Sequence, residues 1–288
     1  MRHNTTVEDH LKNKVECTSC GSVLTGKYCS TCGEKRFELH DLALKHYAEE
    51  SIEGITHFDN KFFKSVKLLV TRPGLLALDF CRGKRVPFMR PFALFFVCNI
   101  IYFLLIGQNN LFSTPLTSFY NFYPFTEFHS KEIIDQVAPT NEKFKVVATI
   151  FNQKMGIESK AFLVVFIPLL AIGGFLVFRR RYLSEHLVFS TYLFSFLLLF
   201  YTFLGSCITN PYYYFFVKGN YDSTYDLVSA LTAWVIFGVY CFFASRRFYN
   251  ASIIRSVIGS VVIMFLFLAG LYGYRILLFF KIIHSIGV

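Results

Sequence analysis

The chain has 288 residues, of which 54% are hydrophobic and 36 are phenylalanine, and it carries a formal net charge of +10. Soluble domains run near ~45–50% apolar even with glycine counted, so an ordinary globular protein is excluded. The excess falls after residue 90, in charge-free runs of about 17–21 residues, long enough to cross a hydrocarbon core of ~30 Å as helix. The expected fold class is an α-helical integral membrane protein, with a small cytosolic zinc ribbon and amphipathic interfacial helices ahead of about five transmembrane helices.

Residues 1–16 are polar and read as an N-terminal tail. They lack the apolar core of a secretory signal and carry acids, so the amino end is expected to stay in the cytoplasm. The next stretch, CTSCGSVLTGKYCSTCG at residues 17–33, holds two Cys-x-x-Cys pairs with eight residues between them. Each pair can present two thiolates to one side of an ion, so Cys17, Cys20, Cys29 and Cys32 are the expected ligands of one structural zinc. The ribbon is expected over residues 17–38. Gly21 and Gly33 each follow a pair, where the turn needs a permissive backbone. Four cysteines close the metal's shell and leave no place for water, which argues against catalysis. Two disulfides are the competing reading, disfavoured in a reducing cytoplasm. A thioredoxin-like role lacks its strand–helix unit. Residues 1–60 hold seven Lys or Arg against ten Asp or Glu, so the ribbon has no basic stripe and nucleic acid is not an expected partner. The other cysteines, Cys81, Cys98, Cys207 and Cys241, lie in or beside apolar segments and read as small buried hydrophobes.

Residues 39–91 form the expected interfacial segment. A helix over residues 39–53 ends at Gly54. Asp59 or Asn60 can cap a second helix running to about Thr71. Arg72 precedes Pro73, which breaks the helix, and a third short helix from Gly74 to Cys81 ends at Gly83. These helices mix Phe and Leu with Lys and Arg and are too short to span, which suits the membrane interface. Residues 61–90 carry eight basic residues against Asp79 alone. Lys61, Lys64, Lys67, Arg82, Lys84 and Arg85 are candidate contacts to anionic lipid phosphates, each worth about 1 kcal/mol near the surface. The competing reading is that these charges only fix topology.

Five spans are expected, over residues 92–106, 161–178, 187–208, 227–243 and 253–272. An external loop, 108–160, separates the first two, opens with aromatics, and contains helical stretches near 131–137 and 142–151. The segment after residue 272 can continue the last helix or bend along the surface. Arginine-rich turns at 179–181 and 246–255 alternate with near-neutral ones, as the positive-inside rule requires. That places the amino end inside and the carboxyl end outside, with Arg275 and Lys281 running against the rule. Pro168 is a candidate kink. Ala171, Gly173, Gly174 and the Ala269-x-x-x-Gly273 spacing suggest close helix packing. No ionisable residue falls at mid-depth: Glu185, His186, Asp226 and Arg255 all sit at span edges, which disfavours a proton-coupled pump. No hydrolase, kinase or metalloprotease motif is present.

The order of parts is KYCSTCGEK, then FDNKFFKSVKLLVTRPG, then CRGKRVPFMRPFALFF, then the spans. It resembles a bacterial family of multi-pass membrane proteins with an N-terminal zinc ribbon, classed as a domain of unknown function. The likeness covers residues 17–105, with positions 17, 20, 29 and 32 matching the family's four cysteines. It implies the architecture and brings no activity. The expectation is a non-enzymatic, docking or envelope-associated protein of the bacterial inner membrane, its ribbon meeting a cytosolic protein partner. The alternative is a transporter or channel for a small solute or lipid.

Overall fold

A computed structural model describes residues 16–36, 60–106, 110–121, 125–217 and 223–286. The expected polar tail over 1–16, nearly all of it, and the helix over 39–53 lie outside the described residues. Among the described residues the chain is helical, without strands; the ribbon region contributes two isolated antiparallel bridges, Glu16 with Val23 and Tyr28 with Lys35.

The first two described helices are α1 (Lys61–Thr71) and α2 (Leu75–Cys81). Their boundaries follow the punctuation of the sequence. Asn60 holds the N-cap position of α1 but makes no side-chain cap bond. Pro73 and Gly74 separate the helices, and Gly74 adopts φ +77°. A Cβ there would lie 2.4 Å from the Ala244 carbonyl oxygen, so only glycine lets this turn touch the helix bearing Ala244. α1 is amphipathic: Phe62, Ser65 and Leu69 are buried, while Phe63, Lys64, Lys67 and Val70 face out. α2 departs from the interfacial expectation. Leu76, Ala77, Leu78, Phe80 and Cys81 are all buried, because its apolar residues surround the whole helix rather than one stripe.

α3 (Pro91–Leu105) opens on a proline at its first position, where the missing N–H costs nothing. Its 15 residues reach only about 22 Å at 1.5 Å per residue. Four elements follow in the 108–160 region: α4 (Leu116–Asn121), a 3₁₀ turn (Phe125–Phe128), α5 (Ser130–Val137) and the longer α6 (Asn141–Glu158). Rather than an open loop, they form a packed cap with Phe112, Leu116, Phe119, Phe125, Ile134 and Phe151 buried. α7 (Phe166–Val177) follows a 3₁₀ turn, Leu163–Val165. The helical axis bends by 58° between α6 and this segment. Pro168 does not make that bend. It stands in the first turn of α7, where backbone N–H groups have no intrahelical acceptor to lose.

α8 (Leu183–Phe203) is the central helix, buried on every side over most of its length. It runs on past the expected end at residue 208, through π-helical turns at Leu204–Thr209 and Tyr213–Val217 that flank Asn210–Tyr212. The wider π turn gives the ring of Pro211 room against the preceding carbonyls, so the proline does not end the helix. α9 (Ser223–Tyr249) carries Arg246 and Arg247 in its last turn, where the helix dipole favours cations. α10 (Ile253–Ile286) is one helix of 34 residues, so the segment after residue 272 continues it. At 1.5 Å per residue it is roughly 50 Å long and extends well beyond a hydrocarbon core of ~30 Å.

Among the described residues, three helices are long and apolar enough to cross a membrane, Leu183–Phe216, Val228–Tyr249 and Ile253–Ile286, or four if the bent pair through α6 and α7 is one span. α9 and α10 leave large apolar side chains exposed, among them Val235, Val239, Ile254, Val261, Phe265 and Leu277. Apolar exposure on this scale marks an interaction surface, and on helices of this length it suits lipid. Ser256, Gly259, Ile263, Phe267, Leu271 and Tyr274 form the opposite, buried face of α10.

An aromatic hub joins the helices. Phe194 of α8 lies 5.8 Å from Phe95 of α3 and 5.6 Å from Phe166 of α7, ring centre to ring centre. Phe267 of α10 lies 5.3 Å from Phe166 and 6.0 Å from Phe237 of α9. Phe112 of the cap closes the set at 5.2 Å from Phe166. Such pairs add about 0.5–1.5 kcal/mol each beyond simple burial. Small residues bring α7 and α10 together, but not the expected ones alone. Gly173 meets Ile263, Gly259 admits the Phe178 ring and Gly270 admits Leu169, whereas a Cβ on Gly273 would meet nothing.

The cap also absorbs the two cations that ran against the charge rule. Arg275 donates to the Leu111 carbonyl oxygen at 2.6 Å, and Lys281 pairs with Glu158 at 2.7 Å.

Candidate metal centre and its seat

The ribbon is built twice over. In each half the glycine after the Cys-x-x-Cys pair turns back: Gly21 N–H donates to Cys17 O, and Gly33 N–H donates to Cys29 O, both at 2.9 Å. Cys17 N–H then donates to Ser22 O and Cys29 N–H to Glu34 O, both at 2.8 Å. Gly21 and Gly33 share φ near +75°, which a side chain would strain. The repeat follows from the repeated spacing in the sequence.

Folding brings the four sulfurs together. All lie within 4.8 Å of one another, with Cys17 and Cys32 at 3.6 Å and Cys20 and Cys29 at 3.6 Å. A tetrahedral ion with metal–sulfur bonds of ~2.3 Å needs sulfurs about 3.8 Å apart, so the donor set fits. Cys17 and Cys29 are buried, Cys20 exposed. The Ser22 hydroxyl sits 3.0 Å from both Cys20 and Cys29 Sγ. Its hydrogen bond is the chief reason the Cys29 thiol is pulled down to about 6 and the Cys20 thiol is lowered. At Cys32 the Glu34 N–H pulls downward, but burial and the three neighbouring thiols outweigh it and push the group up to about 12. A cation placed among the sulfurs would take the protons' place.

Sequence reasoning missed Glu34. Its side chain is 4% exposed, and its Oε2 accepts the N–H groups of Arg85 and Val86, each at 2.9 Å, and the hydroxyl of Ser19. Thr18, in the other half of the ribbon, donates its hydroxyl to Gly83 O at 3.0 Å. Both halves are thus fastened to the α2–α3 connection. A buried carboxylate is costly unless its oxygens are filled, and here three donors fill one of them. The only sequence signal was the position of Glu34, two residues after the last cysteine.

The connection is in turn anchored on the bundle. Met89 N–H donates to Ser65 Oγ at 2.8 Å, and Tyr192 donates its hydroxyl to Met89 O at 2.7 Å. Tyr240 donates to Leu69 O, and Arg247 to Pro73 O. Ribbon, α1, α2 and the arginine-rich ends of the long helices therefore share one end of the molecule. The six candidate lipid contacts divide there. Lys64, Lys67 and Arg82 are exposed and Lys61 is half-buried. Lys84 lies 3.8 Å from Asp79, and the Arg85 guanidinium stacks 4.8 Å over the Phe80 ring.

Of the remaining cysteines, Cys81, Cys98 and Cys241 are buried and Cys207 is exposed. Burial raises the Cys81 thiol far above its usual range, which keeps it neutral.

Geometry and fold together define a helical protein with apolar helices of membrane-crossing length and a four-cysteine cluster able to hold a metal ion. Residues 59–103 match a family described as a protein of unknown function, DUF3667. That segment covers α1, α2, the connection and most of α3, which is the seat of the ribbon rather than the ribbon itself. No curated protein and no solved structure matches the chain.

Proposed function

We propose that the protein is a non-enzymatic, multi-pass protein of a bacterial inner membrane whose metal ribbon forms a rigid cytosolic docking platform. Five crossings are assigned: α3, α7 with the 3₁₀ turn before it, α8 with its π-helical extension, α9 and α10. The ribbon end faces the cytoplasm and the cap faces outward, as the basic turns require. The ion is zinc, since four thiolates in a tetrahedron suit it, and its role is structural. Lys64, Lys67 and Arg82 rest on anionic headgroups while the ribbon meets a protein partner. The observation that carries this reading is the Glu34 lock. A ribbon on a free tether would need no buried carboxylate to hold it against the basic connection.

The test uses the full chain in nanodiscs of neutral or partly anionic lipid. Hydrogen exchange in α1 should slow with anionic lipid, and the slowing should vanish in high salt and in Lys64→Gln/Lys67→Gln/Arg82→Gln. Equal exchange in both lipids would sink the platform. Metal analysis should return about one zinc per chain.

A second reading, a carrier or channel for a small solute or lipid, draws on the 58° break before α7. Lys160 lies at that break and donates to Ile106 O at 2.7 Å. Broken helices line many transport sites. Solute flux in proteoliposomes above that of empty vesicles would favour it over docking.

A further inference from the structure

At the ribbon end, a cleft of about 240 Å³ opens between the turn joining α7 to α8 and the turn joining α9 to α10. Four arginines line it: Arg179, Arg180 and Arg181 from the first turn and Arg255 from the first turn of α10. Its aromatic wall is Phe178 stacked on Tyr249, ring centres 4.0 Å apart. The four cations are not equivalent. Arg181 is held by Glu185 at 2.6 Å and by Phe248 O at 3.1 Å, so it forms part of the fixed wall. Arg179, Arg180 and Arg255 are exposed, and among the described residues none has an acidic partner.

Topology alone needs basic residues near these turns. It does not need four guanidiniums gathered around one concavity, where they repel one another. An anion in the cleft removes that repulsion. Guanidinium forks match phosphate oxygens in pairs, and the amino end of α10 adds positive partial charge. The Ser252 hydroxyl already caps this end by accepting the Arg255 N–H at 3.4 Å. The volume lies below the ~300–1,000 Å³ of pockets for drug-sized ligands; it suits a phosphate with a short polar substituent and leaves no room for an acyl chain. The cleft opens where the apolar lengths of α7, α8, α9 and α10 end, which is headgroup depth in the assigned orientation.

We propose that this cleft is a phosphate-binding site, occupied by the headgroup of an anionic lipid or by free phosphate. It is distinct from the ribbon and from α1, and it does not depend on the docking reading.

Full-length protein in neutral detergent is tested with two probes. Phosphatidylglycerol retention is counted by native mass spectrometry, and inorganic phosphate is titrated calorimetrically. The variant Arg179→Gln/Arg180→Gln/Arg255→Gln should weaken one of these by about tenfold or more, while Lys143→Gln/Lys145→Gln, exposed on the cap at the other end of the molecule, leaves both unchanged. Loss of lipid retention alone identifies the headgroup, and loss of phosphate binding alone identifies the free anion. Arg179→Lys/Arg180→Lys/Arg255→Lys keeps the charge and hence the insertion of the chain. It should still lose several-fold, because lysine cannot make the paired contacts. Wild-type binding of both probes by the glutamine variant, or full binding by the lysine variant, would overturn the proposal.

Discussion

The two ends of this molecule are held together by different physics. At the ribbon end, about twenty residues without an apolar core gather four cysteines able to hold a metal ion and are fixed by backbone hydrogen bonds and the Glu34 carboxylate. At the cap end, Phe119, Phe125 and Phe151 pack against α10, with Phe119 stacked 4.6 Å from Phe279. A segment too small to bury its own core needs a metal or directed polar contacts, whereas one rich in phenylalanine can rely on burial. The consequence is that the ends should fail independently and under different insults.

Metal removal should separate them most sharply. Structural zinc sites are worth roughly 10–16 kcal/mol in isolated ribbons, so chelation, or Cys20→Ser, should abolish amide protection over residues 16–36. Protection in the cap should not change; coupled loss at both ends would break the comparison. Phe279→Ala probes the other side. Removing its contacts with Phe119 and Phe151 should cost about 3–5 kcal/mol and open the cap to protease while metal content stays at one ion per chain.

Smaller changes test how the ribbon is seated. Glu34→Ala leaves the Arg85 and Val86 N–H groups without their acceptor, a loss of about 3 kcal/mol. The ribbon should keep its metal, yet proteolysis on either side of it should speed up. If Glu34→Ala instead releases the ion, the carboxylate supports the centre rather than its seat. Gly74→Ala forces a side chain into φ +77° and against Ala244. It should cost about 2 kcal/mol, felt as faster exchange in α1 and α2 with the cap unaffected.

Much of the ribbon end was legible in sequence. Two Cys-x-x-Cys pairs with glycine after each admit few other arrangements, and the sulfurs do converge. The breaks at Pro73 and Gly83 were equally plain, since each is a local steric rule. Other calls depended on partners that a sequence does not display. α2 looked interfacial because its Leu and Phe neighbour basic residues, but α8 and α9 cover it. The third span was expected to end at residue 208, and the π turns that carry its helix on past Pro211 are a tertiary accommodation. Ala269-x-x-x-Gly273 had the right spacing on the wrong face. Helical stretches near 131–137 and 142–151 were legible in the 108–160 loop, but not that they pack into a cap, because that depends on the aromatic rings the region places on α10.

Composition and periodicity, then, determined by themselves that the chain is helical, apolar beyond residue 90, charged asymmetrically at its turns and armed with a four-thiolate motif. Each of those follows from local chemistry: span length against hydrocarbon thickness, ligand spacing, backbone sterics. Tertiary structure alone decided that Glu34 locks the ribbon to residues 85 and 86, that Arg275 finds the Leu111 carbonyl and Lys281 the Glu158 carboxylate, and that four arginines from two turns share one cleft. Those pairings join residues far apart in the chain, and only the packed helices fix which of them meet.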